Sequence, residues 1–355
     1  MEQNINYYVL RSIFEYLNGL DLSNASQVCK SWLEVAEDEK RRRGPSSVIR
    51  NRKEMKSYKN WDDIKKEMIE CFAIKPALCM FSTNSAKKDS HLQRCHCKYL
   101  PYNCYTVSLD MENSLLGNEN LVAMYFPKIP NIQISTFTFN MHPWTMGIYC
   151  EELKTLFDNS LNNAEQLKTV IEASFDNDCH NTSCWILLCK IYYGTSIGFD
   201  LLEHFYKWFP RKRVSICGGI VNDLSVCNSV HNSRVCKNMA ECVAILISGT
   251  KMQIWTVSLD EMNDNNKDIE DKLKNIKEIV KLKKHSIIFM FISEYCSSDM
   301  DNLELIMFEY FPRVPVVKYF CNGAFAGENL NEKYIQGCND FENINTSVLM
   351  ILTYD

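Results

Sequence analysis

Two stretches of this 355-residue chain constrain its fold more than any other feature. CWILLCKIYYGTSIGFDLLEHFYKWFPRKRVSICGG and HSIIFMFISEYCSSDMDNLELIMFEYFPRVPVVKYFCNG follow one plan, and Trp185 to Phe209 spans the same length as Ile287 to Phe311. In each, an apolar run reads as a buried strand, and a polar loop leads from it into an amphipathic helix. The helices stop at Phe209-Pro210 and Phe311-Pro312, because proline cannot continue a helix and pushes the residue before it toward extended backbone. A second apolar run follows, then glycine. Strand, helix, strand within one sheet means two parallel strands joined by a right-handed crossover. Two such units predict a duplicated α/β module.

The surrounding texture agrees. From about residue 65 short β-rich runs recur (ALCMF, CYTVSLD, NLVAMYF, IQISTFTF, CVAILIS, MQIWTVSL, IIFMFIS, VLMILTY), with helical stretches expected near 151–173, 198–209, 264–283 and 299–311. In the third of these, Ile269, Leu273, Ile276, Ile279, Val280 and Leu282 are expected to face a sheet. YTVSLDMEN at 105–113 and WTVSLDEMN at 255–263 give a weaker echo of the duplication. The segment RRRGPSSVIRNRKEMKSYKN reads as a linker, which divides the chain into 5–48, a charged linker at 49–64, and α/β domains at 65–240 and 241–355.

Composition bears on what such a chain can do. With 46% hydrophobic and 12% aromatic residues it can bury a large core, and a net charge of -5 from 39 basic and 44 acidic residues leaves no domain-wide positive field for nucleic acid. The N-terminal MEQNINYYVL lacks the positive region of a secretory signal, and no apolar run reaches the ~20 residues of a membrane span. The 17 cysteines fall without framework spacing, which fits reduced thiols in cytosol or nucleus, most of them acting as small core residues.

Residues 9 to 43 are different in kind and read as three short helices. Val9, Leu10, Ile13, Phe14 and Leu17 fall at helical spacing, with Asn18-Gly19 as a stop. Leu20 and Leu22 flank Asp21, and Ser23 is the expected cap of the next helix. Val28, Cys29, Trp32, Leu33 and Val35 add further apolar surface, and Lys40 to Arg43 suit a helix C-terminus or, as the alternative, a nuclear import signal. So small a unit can hardly bury all of this within itself, so part of it is expected to meet another protein. These residues, VLRSIFEYL, then DL, then VCKSW, resemble the F-box family over about residues 7–45, although the family's opening Leu-Pro is Tyr8-Val9 here. The resemblance implies that Val9, Leu10, Ile13, Phe14, Leu17, Leu20, Leu22, Val28, Cys29 and Trp32 divide between a small core and a face that binds a Skp-type adaptor, and through it a cullin scaffold.

NLVAMYFPKIPNIQISTFTF, CGGIVNDLSV, CVAILISGTKMQIWTVSLD and FEYFPRVPVVKYFCNGAFAGENL, in that order, resemble the FIST family over about residues 65–355. The family implies small-ligand sensing in signalling proteins and substrate presentation behind an F-box. Lys318 replaces an expected glycine and Ala324 an acidic residue, which removes a carboxylate that could engage a ligand. Open α/β sheets bind ligands beyond the carboxyl ends of their strands, so the loops carrying Gly218, Gly219, Asn222 and Asp223, and Asn322, Gly323 and Gly327, are the candidate substrate or ligand sites. The alternative for each is ordinary turn chemistry.

Catalytic signatures are missing: there is no phosphate loop, no Gly-x-Ser-x-Gly, no His-Glu-x-x-His and no paired Cys-x-x-Cys. His91, Cys95, His96, Cys97 and Cys104 hold zinc-type donors without a standard spacing, and Cys179-His180 with Cys184 lacks an orienting third group. The expectation is therefore a three-helix F-box before a mixed α/β module of duplicated FIST type. Its expected role is a non-catalytic, cofactor-free and metal-free substrate receptor of a ubiquitin ligase, acting on unidentified proteins in cytoplasm and nucleus. The alternative is a small-molecule sensor that controls a partner.

Overall fold

The structure, a computed structural model, describes residues 6–51, 76–83, 104–110, 119–127, 132–141, 148–150, 168, 172, 182–208, 214–228, 238–259, 266–293, 306–312, 314–327 and 347–355. Three helices come first: α1 (Tyr7–Phe14), α2 (Gly19–Ala25) and α3 (Lys30–Arg42). Asn18 is extended and its side chain accepts from the Asp21 amide at 2.9 Å, so Asn18 caps α2. Gly19 opens that helix and Ser23 lies within it, where the sequence suggested a stop at Asn18-Gly19 and a cap at Ser23.

The rest of the described chain is built on three sheets. The strands are β1 (Ser46–Asn51), β2 (Pro76–Thr83), β3 (Tyr105–Asp110), β4 (Glu119–Pro127), β5 (Ile132–Met141), β6 (Ile148–Cys150), β7 (Thr182–Lys190), β8 (Val214–Val221), β9 (Asp223–Asn228), β10 (Asn238–Met239), β11 (Cys242–Gly249), β12 (Gln253–Leu259), β13 (His285–Ser293), β14 (Val316–Cys321), β15 (Gly323–Gly327) and β16 (Ser347–Tyr354). Two longer helices, α4 (Tyr193–Trp208) and α5 (Asn266–Ile279), and helical residues 306–310 complete the described elements.

The strand orders β1-β4-β2-β3-β9-β10, β15-β8-β7-β11-β5-β6 and β12-β16-β13-β14 contain one pattern three times. In each sheet a parallel pair (β2 with β3, β7 with β8, β13 with β14) is flanked by an antiparallel strand that comes last in its unit (β4, β11, β16). That strand pairs in turn with the unit's first strand (β1, β5, β12). The two copies visible in the sequence are thus the second and third of three. β9 follows β8 in sequence yet pairs with β3, and β15 follows β14 yet pairs with β8, so the second and third units each extend the preceding sheet. The echo between 105–113 and 255–263 joins β3 to β12, which occupy different places in the pattern.

The parallel pairs appear where the two strand–helix–strand stretches predicted them. Their strands, and the antiparallel β11 and β16 beside them, are buried along almost their whole length, as strands covered on both faces must be. Inner faces of all three sheets meet in one core containing Met80, Val107, Phe126, Ile186, Val221, Ile245, Phe289, Tyr319 and Met350. On the outer face of the second sheet, Ile197, Leu201, Leu202 and Phe205 of α4 pack on Trp185, Leu187 and Ile216. On that of the third sheet, Ile269, Leu273, Ile276 and Val280 pack with Met307 and Phe311 on Ile288, Met290 and Ile351. Ile279 and Leu282, expected on this face, are exposed.

Two expected boundaries fall inside sheets. Ser46–Asn51, partly assigned to the 49–64 linker, pairs along its length with β4. A division between residues 240 and 241 would separate β11 from its partners β5 and β7, whereas the second sheet's last strand ends at Gly249. The connection from α3 into the sheets is therefore short, and it is braced. His285 Nε2 lies 3.4 Å from the Arg41 carbonyl, and a Cβ on Gly44 would come within 2.8 Å of His285 Nδ1.

Candidate functional site

In the three N-terminal helices the apolar residues sort by direction. Leu10, Phe14, Leu22, Ala25, Val35 and Ala36 form a closed core, with Leu17 and Trp32 packed against it. Phe14 and Trp32 meet edge to face at 5.3 Å, the favoured geometry for two aromatic quadrupoles. Arg43 ties the ends together: its guanidinium donates to Glu39 at 2.9 Å and to the Phe14 carbonyl at 2.8 Å, closing the C-terminus of α1 onto that of α3. Lys40, Arg41 and Arg42 lie in the last turn of α3, where cations oppose the helix dipole, and each also meets an acid one turn earlier. Tyr7 donates to Asp38, and that bond together with Arg41 holds the Asp38 carboxyl below its ordinary range.

The other apolar residues point outward. Val9 is 51% exposed and Ile13 48%, and with Tyr8 (71%), Tyr16 (89%) and Ser12 they line an open hollow of about 440 Å³ along one face of α1. Leu20, Val28 and Leu33 are exposed as well, and so is Cys29. Of the ten residues singled out in the sequence, Leu10, Phe14 and Leu22 are thus core. Leu17 and Trp32 border the core, while Val9, Ile13, Leu20, Val28 and Cys29 face away from it. Tyr8 and Tyr16 were missed as surface residues, whereas Leu33 was named among the apolar residues but not among these ten. The spacing of Tyr8 and Tyr16 from Ser12, four residues either side, was the available signal.

The second candidate set is brought together, but not as an open loop. β8 and β15 are hydrogen-bonded neighbours in which Gly219 faces Ala324, and Gly323 and Gly327 face Ile220 and Ile216. A Cβ on Gly218 would sit 1.7 Å from the Leu187 carbonyl oxygen of β7, so this glycine is required by the close approach of two strands. Asn322 donates through Nδ2 to Asn222 Oδ1 at 2.7 Å and through its backbone amide to Ile220 O at 2.7 Å, locking the β8 and β14 ends together. Asp223 pairs with Lys190 at 3.2 Å. Ala324 and Lys318 are buried.

Cys104 is buried with its Sγ 3.3 Å from that of Cys79, while His91, Cys95, His96 and Cys97 lie outside the described residues. Cys184 sits in the central core, where burial pushes its thiol up to about 12, and Cys179 and His180 lie outside the described residues. Among the described residues no group of His, Cys, Asp and Glu could hold a metal ion, and no helix is long and apolar enough to cross a membrane.

The F-box-like family model matches residues 8–42, the span of α1 to α3. The chain carries an F-box-like domain. Such a domain implies binding to a Skp-type adaptor and so to a cullin, as part of a subunit that recognises substrates and is typically non-catalytic. No curated protein matches the sequence. Among solved structures, the crystal structure of cyanuric acid hydrolase from A. caulinodans aligns over 87% of this chain and 99% of that one, with 7% identity and a TM-score of 0.35.

Proposed function

We propose that this chain is the substrate-recognition subunit of a Skp–cullin–F-box ubiquitin ligase, its α/β module holding a protein for ubiquitination and proteasomal degradation. The observation that carries the reading is the face of α1: an F-box-like unit with a complete small core still presents Tyr8, Val9, Ile13 and Tyr16 to solvent. A contiguous apolar face of this kind on a folded unit marks a protein-binding site. The chain would accelerate transfer by proximity, raising the effective concentration of substrate lysines at a ubiquitin-loaded enzyme.

The α/β module supplies the presenting surface, and its resemblance to FIST modules rests on the sequence segments named above. That pairing of an F-box with FIST-like segments resembles F-box only protein 22. A ligand-sensing role gains nothing from the described residues, since the glycines that suggested it lie in paired strands.

Co-purification from cells tests the reading. The intact chain is expected to bring down the Skp-type adaptor, and Ile13→Asp, which sets a charge on the exposed face without touching the core, is expected to abolish capture. Equal capture by the parent and by Ile13→Asp would sink the reading.

A further inference from the structure

The turn that follows β7 is held in an uncommon conformation from both sides. The Lys190 amide donates to Glu241 O at 2.7 Å and the Ile191 amide to Val221 O at 2.9 Å, so each of two neighbouring strands fixes one residue. Gly194 is pressed so closely on the chain before β11 that a Cβ would lie 1.9 Å from Glu241 O. Between these anchors Tyr192 adopts φ 72°, among described residues the one non-glycine position with a positive value. A bulky side chain held there is strained, and such strain persists where the surroundings over-determine it, often at binding sites.

The result is two adjacent exposed rings, Tyr192 at 78% and Tyr193 at 63%. Beside them the Lys190 ammonium is shared between Asp223 at 3.2 Å and Glu241 at 3.9 Å. Two carboxylates to one ammonium leave an excess of negative charge, and half of the Asp223 side chain remains in solvent. Tyrosine rings on a rigid backbone are the preferred anchors of protein interfaces, and their faces attract cations, as does the half-exposed carboxylate of Asp223, which shares the single Lys190 ammonium with Glu241. This position also lies at the carboxyl end of the parallel pair β7 and β8, where open α/β sheets place their binding sites.

We propose that Tyr192, Tyr193 and Asp223 form the docking surface for the substrate protein, receiving a segment that carries a lysine or arginine side chain. This rests on the substrate-receptor reading and specifies where and by what chemistry capture occurs. The test uses the full chain bound to the Skp-type adaptor as bait for phage-displayed random twelve-residue peptides, with the winners resynthesised and titrated by fluorescence anisotropy. Selected peptides are expected to be basic. Their affinity should fall at least about tenfold on Tyr192→Asn/Tyr193→Ser, on Asp223→Asn, and on replacing the peptide's basic residues by glutamine. Asparagine tolerates the left-handed backbone, Tyr192 and Tyr193 are exposed, and Asp223→Asn keeps the shape of a half-exposed side chain, so the variants are expected to keep the fold. Failure to select any peptide, or undiminished binding by the double variant or by the glutamine peptide, overturns the proposal. Adaptor binding by the same bait is scored separately: its loss would overturn the ligase reading, while its retention with no peptide bound would overturn only this surface.

Discussion

Phe14→Ala should unfold the N-terminal helices while leaving the sheets intact. Phe14 is 0% exposed at the centre of a core whose other buried members are Leu10, Leu22, Ala25, Val35 and Ala36. Removing a buried phenylalanine costs about 3–5 kcal/mol, and the edge-to-face contact with Trp32 places Phe14 toward the upper end of that range. At roughly 0.05–0.15 kcal/mol per residue, a unit the size of α1 to α3 holds only about 2–5 kcal/mol in all, so the substitution consumes its entire stability. The central core draws none of its members from these helices and should not register the loss. Hydrogen exchange on the full chain distinguishes the two layers. Amides of Tyr7–Phe14 and Lys30–Arg42 are expected to lose protection, while those of β7, β11, β13 and β16 keep it. Unchanged protection in α1 and α3, or a collapse of β11 and β16 along with them, would refute a separately cored F-box-like unit.

Three further outcomes follow from the same structure. Val9→Ala/Ile13→Ala removes two half-exposed side chains whose remaining burial against an adaptor is worth about 1 kcal/mol each, so calorimetry should show affinity down roughly 30-fold with the melting temperature unchanged. Burial lowers the pKa of His285 at the brace to α3, so an unfolded chain takes up that proton near pH 6.5 while the folded one resists it. This contribution is complete above about pH 6.5 and is lost as pH falls from there through the folded pKa, so His285→Gln should narrow the difference in melting temperature between about pH 7.5 and 5.5. Finally, iodoacetamide near neutral pH should alkylate exposed Cys29 and spare Cys184, whose thiol is pushed up to about 12, as peptide mass spectrometry would show.

The sequence conveyed much of this because the strongest signals are local. A strand, an amphipathic helix, Phe-Pro and a second strand dictate a parallel pair wherever they occur, and β7 with β8 and β13 with β14 obeyed. The first of the three units escaped notice since no Phe-Pro stop separates β2 from β3. β1 looked like linker because an edge strand pairs on one side only, so the polar SSVIRN can serve. The loan of β9 and β15 to preceding sheets has no local signature at all, since it depends on which edges meet in space. The close neighbours of Gly218 and Gly219, Leu187 O of β7 and Cys321 Sγ of β14, likewise depend on how strands meet and have no local signature in the sequence. At the N-terminus, helical spacing identified the apolar residues, but telling Phe14 from Ile13 as core or surface required the position of α3.

The central claim is that this chain joins its α/β module to a ligase through α1. Size-exclusion chromatography of the purified full chain with the Skp-type adaptor and cullin scaffold tests it most directly. One complex containing all three proteins in equal amounts is expected, from which Ile13→Asp releases this chain alone. Separate elution of this chain from the adaptor at micromolar concentrations would contradict it.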